Sequence, residues 1–293
     1  MADSVFEDVA DTAFMVARER ALEGERPDAL FRDPLADRLA GERGERIVAA
    51  LGDHAALGIW GMAIRTVLID DYIRAAVAGG VTLVANLGAG LDTRPYRMEL
   101  PGGLQWVEVD FPKVIELKAQ GLAAEQPRCR LERVALDLSD RAARGKLLRD
   151  LSARSANILV ITEGVVPYLS AEEVASLADD LHSLEHFRLW IVDYFSHQAL
   201  QSRRRQAMAK RMENAPFRFE PDDWFGFFRE HGWPLREVRY LAEEGVRLGR
   251  PMPVPLPTPA ASRLLLRLRG LLSSRGRDEL RRFAGYGLLE RPP

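Results

Sequence analysis

From residue 81 onward, short apolar runs alternate with amphipathic stretches, and this alternation sets the expected fold class. The runs Thr82–Leu87, Leu104–Val109, Leu131–Leu136, Asn157–Thr162 and Arg188–Tyr194 have the length and composition of buried strands. Helical spacing fills the gaps at Pro112–Ala124, Ser139–Ser152 and Ala171–Glu185, with Ser170 and Glu173 forming a capping box before the third. Strand, helix, parallel strand is the grammar of a doubly wound α/β sheet. Upstream, Asp11–Leu22 is amphipathic, Asp33-Pro34 can open a helix, and Gly61–Ala78 carries Ile64, Val67, Leu68, Tyr72, Ala75 and Ala76 at helical spacing before Gly79-Gly80 stops it. Downstream, a basic helix through Arg203–Arg205 to Met212, an aromatic-rich helix at Asp222–His231 and a strand at Leu235–Leu241 follow. The five prolines of Gly249–Pro259 mark an extended loop or lid. A basic helix at Ala261–Arg282 and a last edge strand at Tyr286–Glu290 close the chain.

The expected plan is a mostly parallel seven-stranded sheet with N-terminal helices and a helical cap insertion. Residues 1–80 form the helical segment, 81–195 and 232–293 the α/β core, and 196–231 the cap and substrate region.

Composition narrows the function classes. With 41 basic and 43 acidic residues the formal charge is −2, so no general electrostatic pull toward nucleic acid or an anionic membrane is expected. Cys129 is the one cysteine, which rules out an internal disulfide and a cysteine-rich metal site, and no metal is expected. The beginning is acidic (Asp3, Glu7, Asp8, Asp11), unlike a signal peptide, and no apolar run reaches the roughly 18–20 residues of a membrane span. The chain reads as cytoplasmic, a monomer or homodimer.

Candidate chemistry gathers at the strand ends. Val84–Gly90 is an apolar strand running into Gly88-Ala89-Gly90, a turn whose backbone can approach a ligand closely. A dinucleotide fingerprint would place a third glycine where Thr93 stands, and Pro95 interrupts the helix that should open there. A nucleoside without a diphosphate fits better. Asp110, twenty residues past Gly90, can accept from both hydroxyls of a ribose, or else cap the helix opening at Pro112. Asp137 can accept from an adenine amine, or cap its own helix. Glu163, at the tip of a buried strand, needs a cationic partner from a ligand or a neighbouring arginine.

These segments resemble the leucine carboxyl methyltransferase family, in its bacterial branch of S-adenosylmethionine-dependent O-methyltransferases. The likeness rests on Asn86–Arg94, Glu108-Val109-Asp110-Phe111-Pro112, Asp137-Leu138 and Glu163–Leu169, and spans roughly residues 10–195 with an echo at Gly285–Glu290. It implies a Rossmann-like methyltransferase fold and S-adenosyl-L-methionine as cofactor. Gly88, Ala89 and Gly90 would pass under its methionine part. Asp110 would bind the ribose, with Phe111 beside it among the cofactor-binding residues, and Asp137 with the Leu138 backbone would bind the adenine. Glu163 would receive the ammonium and Arg65 the carboxylate, helped by Arg20 or the nearby Arg18. Arg65 could instead be a helix charge paired with Asp70 or Asp71. Tyr168 would position substrate or simply fill the core, and the Phe217–Phe228 cluster with Trp224 would cover substrate or form an apolar helix face.

The chemistry implied is methyl transfer to a small-molecule acceptor, a carboxylic acid ahead of a hydroxyl, because the family pattern lacks a fixed base and an ionised carboxylate needs none. His197, His231 and Asp193 are the base candidates should the acceptor be a hydroxyl. The Arg203–Arg205 and Arg263–Arg282 charges could steer an anionic acceptor or be solvated helix faces. A nicotinamide-dependent oxidoreductase and a non-catalytic nucleoside-binding protein are the rival readings.

Overall fold

A computed structural model describes residues 10–52, 55–200, 216–253 and 281–292. Seven strands lie in one sheet: β1 (Leu83–Leu87), β2 (Gln105–Asp110), β3 (Arg130–Ala135), β4 (Ile158–Thr162), β5 (Phe187–Phe195), β6 (Leu235–Tyr240) and β7 (Ala284–Glu290). Their spatial order is β3-β2-β1-β4-β5-β7-β6. Pairings from β3 through β5 are parallel, and β7 runs antiparallel between β5 and β6. The expected last edge strand is therefore an interior one, and β6 is the edge. Gly285 and Gly287 make the position possible: a Cβ at Gly285 would fall 2.3 Å from the Arg239 carbonyl, and one at Gly287 2.7 Å from the Phe225 ring.

Strand alternation buries both faces of the sheet. Leu83, Ala85 and Leu87 of β1 join a cluster with α6 (Arg141–Arg154) and α7 (Ala171–His182), while Val84 turns to the other face under Leu68, Ile69, Tyr72 and Ile73. Those four belong to α3 (Ala55–Ala78), which ends at Gly79-Gly80 as the sequence leads one to expect. In front of the sheet, α1 (Ala10–Gly24) packs on α2 (Pro34–Leu51), and together they cover Leu91 and Tyr96 beyond the β1 turn. Asp33 caps α2 by accepting from the Ala36 amide, with Pro34 at the first helical position. Ser170 and Glu173 form the expected capping box on α7.

Three shorter helices complete the described chain: α4 (Arg94–Arg97), α8 (Trp224–Glu230) and α9 (Leu241–Arg247), between α3 and β2, after β5, and after β6. α5 (Pro112–Gly121) follows β2. α9 had no expectation from the sequence. The basic stretch Arg203–Arg205, the Arg263–Arg282 stretch up to residue 280, and most of the Gly249–Pro259 loop lie outside the described residues. No described helix is long and apolar enough to cross a membrane.

Candidate cofactor site at the strand tips

The sheet order reverses between β1 and β4, and in doubly wound sheets ligands bind beyond the carboxyl ends of the strands at that point. β1 leaves the sheet through Gly88 (φ 76°) and Gly90 (φ 46°), both in the left-handed region that suits glycine. A Cβ at Gly88 would meet the Val165 side chain at 2.3 Å, so the turn is closed to any larger residue. The Gly88 and Ala89 amides both donate to the Val109 carbonyl, which fixes the turn against the end of β2.

Asp110 stands at that end. Its Oδ2 accepts from the Gly90 amide at 2.6 Å and its Oδ1 from the Phe111 amide at 2.7 Å. Burial raises its pKa, and these two amides oppose the shift. Asp110 does not cap α5: the capping position belongs to Phe111, which offers no side-chain acceptor. Phe111 itself, directly past the end of β2, is 48% exposed. At the next tip, Asp137 accepts from the Ser139 amide at 2.8 Å and stays exposed, while Asp140 caps α6 through the Ala143 amide. The capping alternative for Asp137 is thus filled by another residue. Arg144 holds the Leu138 carbonyl at 2.8 Å.

The charged half of the site lies at the tip of β4. Arg65 reaches from α3 to Glu163 with Nε 2.5 Å from Oε1, and Arg94 Nη1 meets Oε2 at 2.6 Å. Arg65 is therefore not paired with Asp70 or Asp71. Burial works to raise the Glu163 pKa, but the two guanidiniums outweigh it and hold the carboxyl below its usual range. Gly164 (φ 70°) turns the chain there, and its amide donates to both oxygens of Asp193, the larger separation being 3.2 Å. The Tyr286 hydroxyl donates to the same Asp193 at 2.8 Å, and its ring lies under Arg65.

Sequence reading missed the layer behind this pair. Arg94, 2% exposed, bonds Asp70 at 2.7 Å and Asp92 at 3.0 Å as well as Glu163. Arg97 binds both oxygens of Asp70, and Asn86 holds Asp92 at 2.9 Å. Thr93, in the place of the third glycine, donates to Asp33 at 2.6 Å. The helix after the turn has only four residues, so no long helix end faces the place where a pyrophosphate would lie. Arg20 and Arg18 separate cleanly. Arg20 is buried, bonding Asp33 at 2.9 Å and the Leu91 carbonyl at 2.6 Å, whereas Arg18 turns outward to Glu25 and Asp37.

The base candidates do not converge. His231 lies after α8, paired with Asp179 toward the end of α7 and away from the tips. His197 is exposed two residues past the end of β5. Asp193 is engaged by Gly164 and Tyr286. Tyr168 sits in a 3-10 turn directly beyond Glu163, edge-on to Phe217 at 5.1 Å. The aromatic cluster divides: Phe219, Trp224 and Phe228 are core, while Phe217 and Phe195 are half-buried beside Tyr168.

The glycine turn after β1, Asp110, the exposed ring of Phe111 and the Arg65–Glu163 pair thus lie together at the strand tips of a doubly wound sheet. The leucine carboxyl methyltransferase model matches residues 13–182, and the chain belongs to that family. A relative from Mycobacteroides abscessus, provisionally named an S-adenosyl-L-methionine-dependent methyltransferase, is 32% identical over 279 residues, 83% of this chain and 90% of its own. One from Streptomyces coelicolor with the same provisional name is 35% identical over 264 residues, 82% and 88% of the two chains. Among solved structures, a putative methyltransferase from Thermobifida fusca superposes with a TM-score of 0.57 at 15% identity, covering 99% of this chain and 97% of its own. A DUF574 family protein from Streptomyces avermitilis gives 0.55 at 18%, covering 94% and 97%. These two likenesses bear on the fold alone.

Proposed function

We propose that the protein transfers the methyl group of S-adenosylmethionine to an oxygen of a small-molecule acceptor, a carboxylate ahead of a hydroxyl. That it is an S-adenosylmethionine-dependent methyltransferase follows from its family and relatives. The acceptor is our reading of the site.

The Arg65–Glu163 pair beside the glycine turn carries the proposal. A guanidinium next to a carboxylate complements the two charged groups of an amino acid. In this reading Arg65 takes the carboxylate of the methionine part, with Arg20 bracing the turn at Leu91. Glu163 takes the ammonium, and Arg94 keeps Glu163 in position. Gly88, Ala89 and Gly90 pass beneath, Asp110 takes the ribose hydroxyls, Phe111 flanks the base, and Asp137 with Leu138 reads the adenine edge. Of the described residues, those within 1–80 close over the cofactor, those within 196–231 cover the acceptor beside Tyr168, and the remainder form the binding core.

Bound S-adenosylmethionine supplies an already activated methyl group on a sulfonium. The chain's task is then to align an oxygen with it and keep water away, and positioning of that kind can supply several kcal/mol. A carboxylate acceptor arrives ionised at neutral pH. A hydroxyl would need a base, and of the three candidates only His197 both follows the carboxyl end of a parallel strand and is exposed.

Incubation with labelled S-adenosylmethionine and a panel of carboxylic acids and phenols separates the acceptors. The expected product is a methyl ester that releases methanol in mild alkali, and His197→Ala should leave its rate within about threefold. An alkali-stable ether, with a loss of about a hundredfold or more in His197→Ala, would overturn the carboxyl assignment.

A further inference from the structure

Glu19 has no place in the roles assigned so far, yet it is a buried carboxyl on α1 beside Arg20, the residue that bonds the Leu91 carbonyl past the glycine turn. It precedes Arg20 on α1 and is 2% exposed. Its carboxyl lies against α3 at Gly58, where an added Cβ would come within 2.2 Å of Oε1, so the glycine is what gives the acid room. Among the described residues no hydrogen bond or ion pair reaches it. The charges acting on it are Arg65 from α3 and Arg20 on its own helix. Other charged groups nearby on these elements are engaged elsewhere. Glu163 is held by Arg65 and Arg94, Asp33 by Arg20 and Thr93, and Glu23, one turn along α1, by the Leu30 amide. A buried acid under the influence of two guanidinium charges, with its carboxyl set against a glycine rather than a hydrogen-bond donor, calls for an explanation.

We propose that Glu19 is a further cofactor-binding residue, a neutral acid that donates its O–H to the carboxylate of the cofactor's methionine end alongside Arg65. The inference rests on the proposed placement of that end at Arg65. Burial pushes Glu19 up to about 8 against the pull of Arg65 and Arg20, so the acid form prevails at neutral pH. In that form it leaves Arg65 its positive charge and offers a second donor to an incoming carboxylate. Once ionised, it would compete for Arg65 and repel the same group. Cofactor affinity is therefore expected to fall as pH rises through the Glu19 pKa.

Calorimetric titration with S-adenosylhomocysteine between pH 6.5 and 9.5 tests this in the wild-type protein, Glu19→Gln and Glu19→Met. Glutamine donates at every pH. Its affinity should match wild type within about threefold at pH 6.5 and then hold, while wild type weakens by up to about tenfold per pH unit above 8 relative to it. Ionisation of the ligand's own amine is common to all three proteins and cancels in the ratio. Glu19→Met should bind more weakly at pH 6.5 with the flat profile of glutamine. Parallel profiles in wild type and either folded variant would overturn the role of Glu19 and leave the site standing. Absence of binding in wild type at every pH would overturn both.

Discussion

Arg94 shows how strongly a guanidinium can be held when several carboxylates share it. Burial disfavours its charge, but Asp92, Glu163 and Asp70 more than compensate and raise its pKa well above normal. The same neighbours depend on it: burial works against the Asp92 charge, and Arg94 leads the cations that bring its carboxyl down on balance. Taking the cation away would leave three acids buried with reduced compensation. Arg94→Met should therefore lower unfolding free energy by about 3–5 kcal/mol in denaturant titrations, and a change under about 1 kcal/mol would show the network to be dispensable. Glu163→Gln keeps the shape and removes the charge. We expect a loss of about tenfold or more in S-adenosylhomocysteine affinity, with unchanged affinity counting against the ammonium role. None of this pairing is visible in a sequence pattern. Asp70 and Glu163 lie 24 and 69 residues from Arg94, and periodicity reports which face is buried, not which charges meet.

The turn after β1 was the most legible element, because its cause is local. Two glycines following an apolar strand mean a tight backbone, and both adopt positive φ. Gly88→Ala should cost about 1–3 kcal/mol of stability from the strained φ, together with cofactor affinity, since the new methyl group would collide with Val165. A variant that binds S-adenosylhomocysteine normally would show that the turn is not the cradle. Strand identities and the α7 capping box were equally local and correctly placed. Strand order was less accessible. The short Tyr286–Glu290 run reads as an edge strand by length and position, and only the packing of Gly285 against β6 and Gly287 against Phe225 shows why it is interior. Similarly, the acid that caps α6 is Asp140, three residues past the candidate, which left Asp137 exposed at the strand tip.

Taken together, the sheet puts the tips of β3, β2, β1 and β4 in a row, and the helices α1 and α3 bring Arg20 to the turn after β1 and Arg65 to Glu163 at the tip of β4. Concentrating acids there has a cost that depends on pH. Burial raises Glu19 to about 8 and Asp193 to about 6, above their unfolded values. A raised acid binds its proton more tightly in the folded state, so its stabilising contribution is complete below the unfolded pKa and is lost as pH climbs through the folded one. Melting temperature measured without cofactor should accordingly be flatter with pH in Asp193→Asn between about 4 and 6, and in Glu19→Gln between about 4.5 and 8, than in wild type. Slopes equal to wild type in both variants would contradict the burial of these acids.

The central claim is that the tips of β1, β2 and β4 hold S-adenosylmethionine. Calorimetric titration of the wild-type protein, Asp110→Asn and Arg65→Met with S-adenosylmethionine and S-adenosylhomocysteine tests it most directly. Micromolar binding of both ligands by wild type, weakened about tenfold or more in each folded variant, is the predicted result. Absence of binding in wild type, or binding that neither substitution changes, would contradict it.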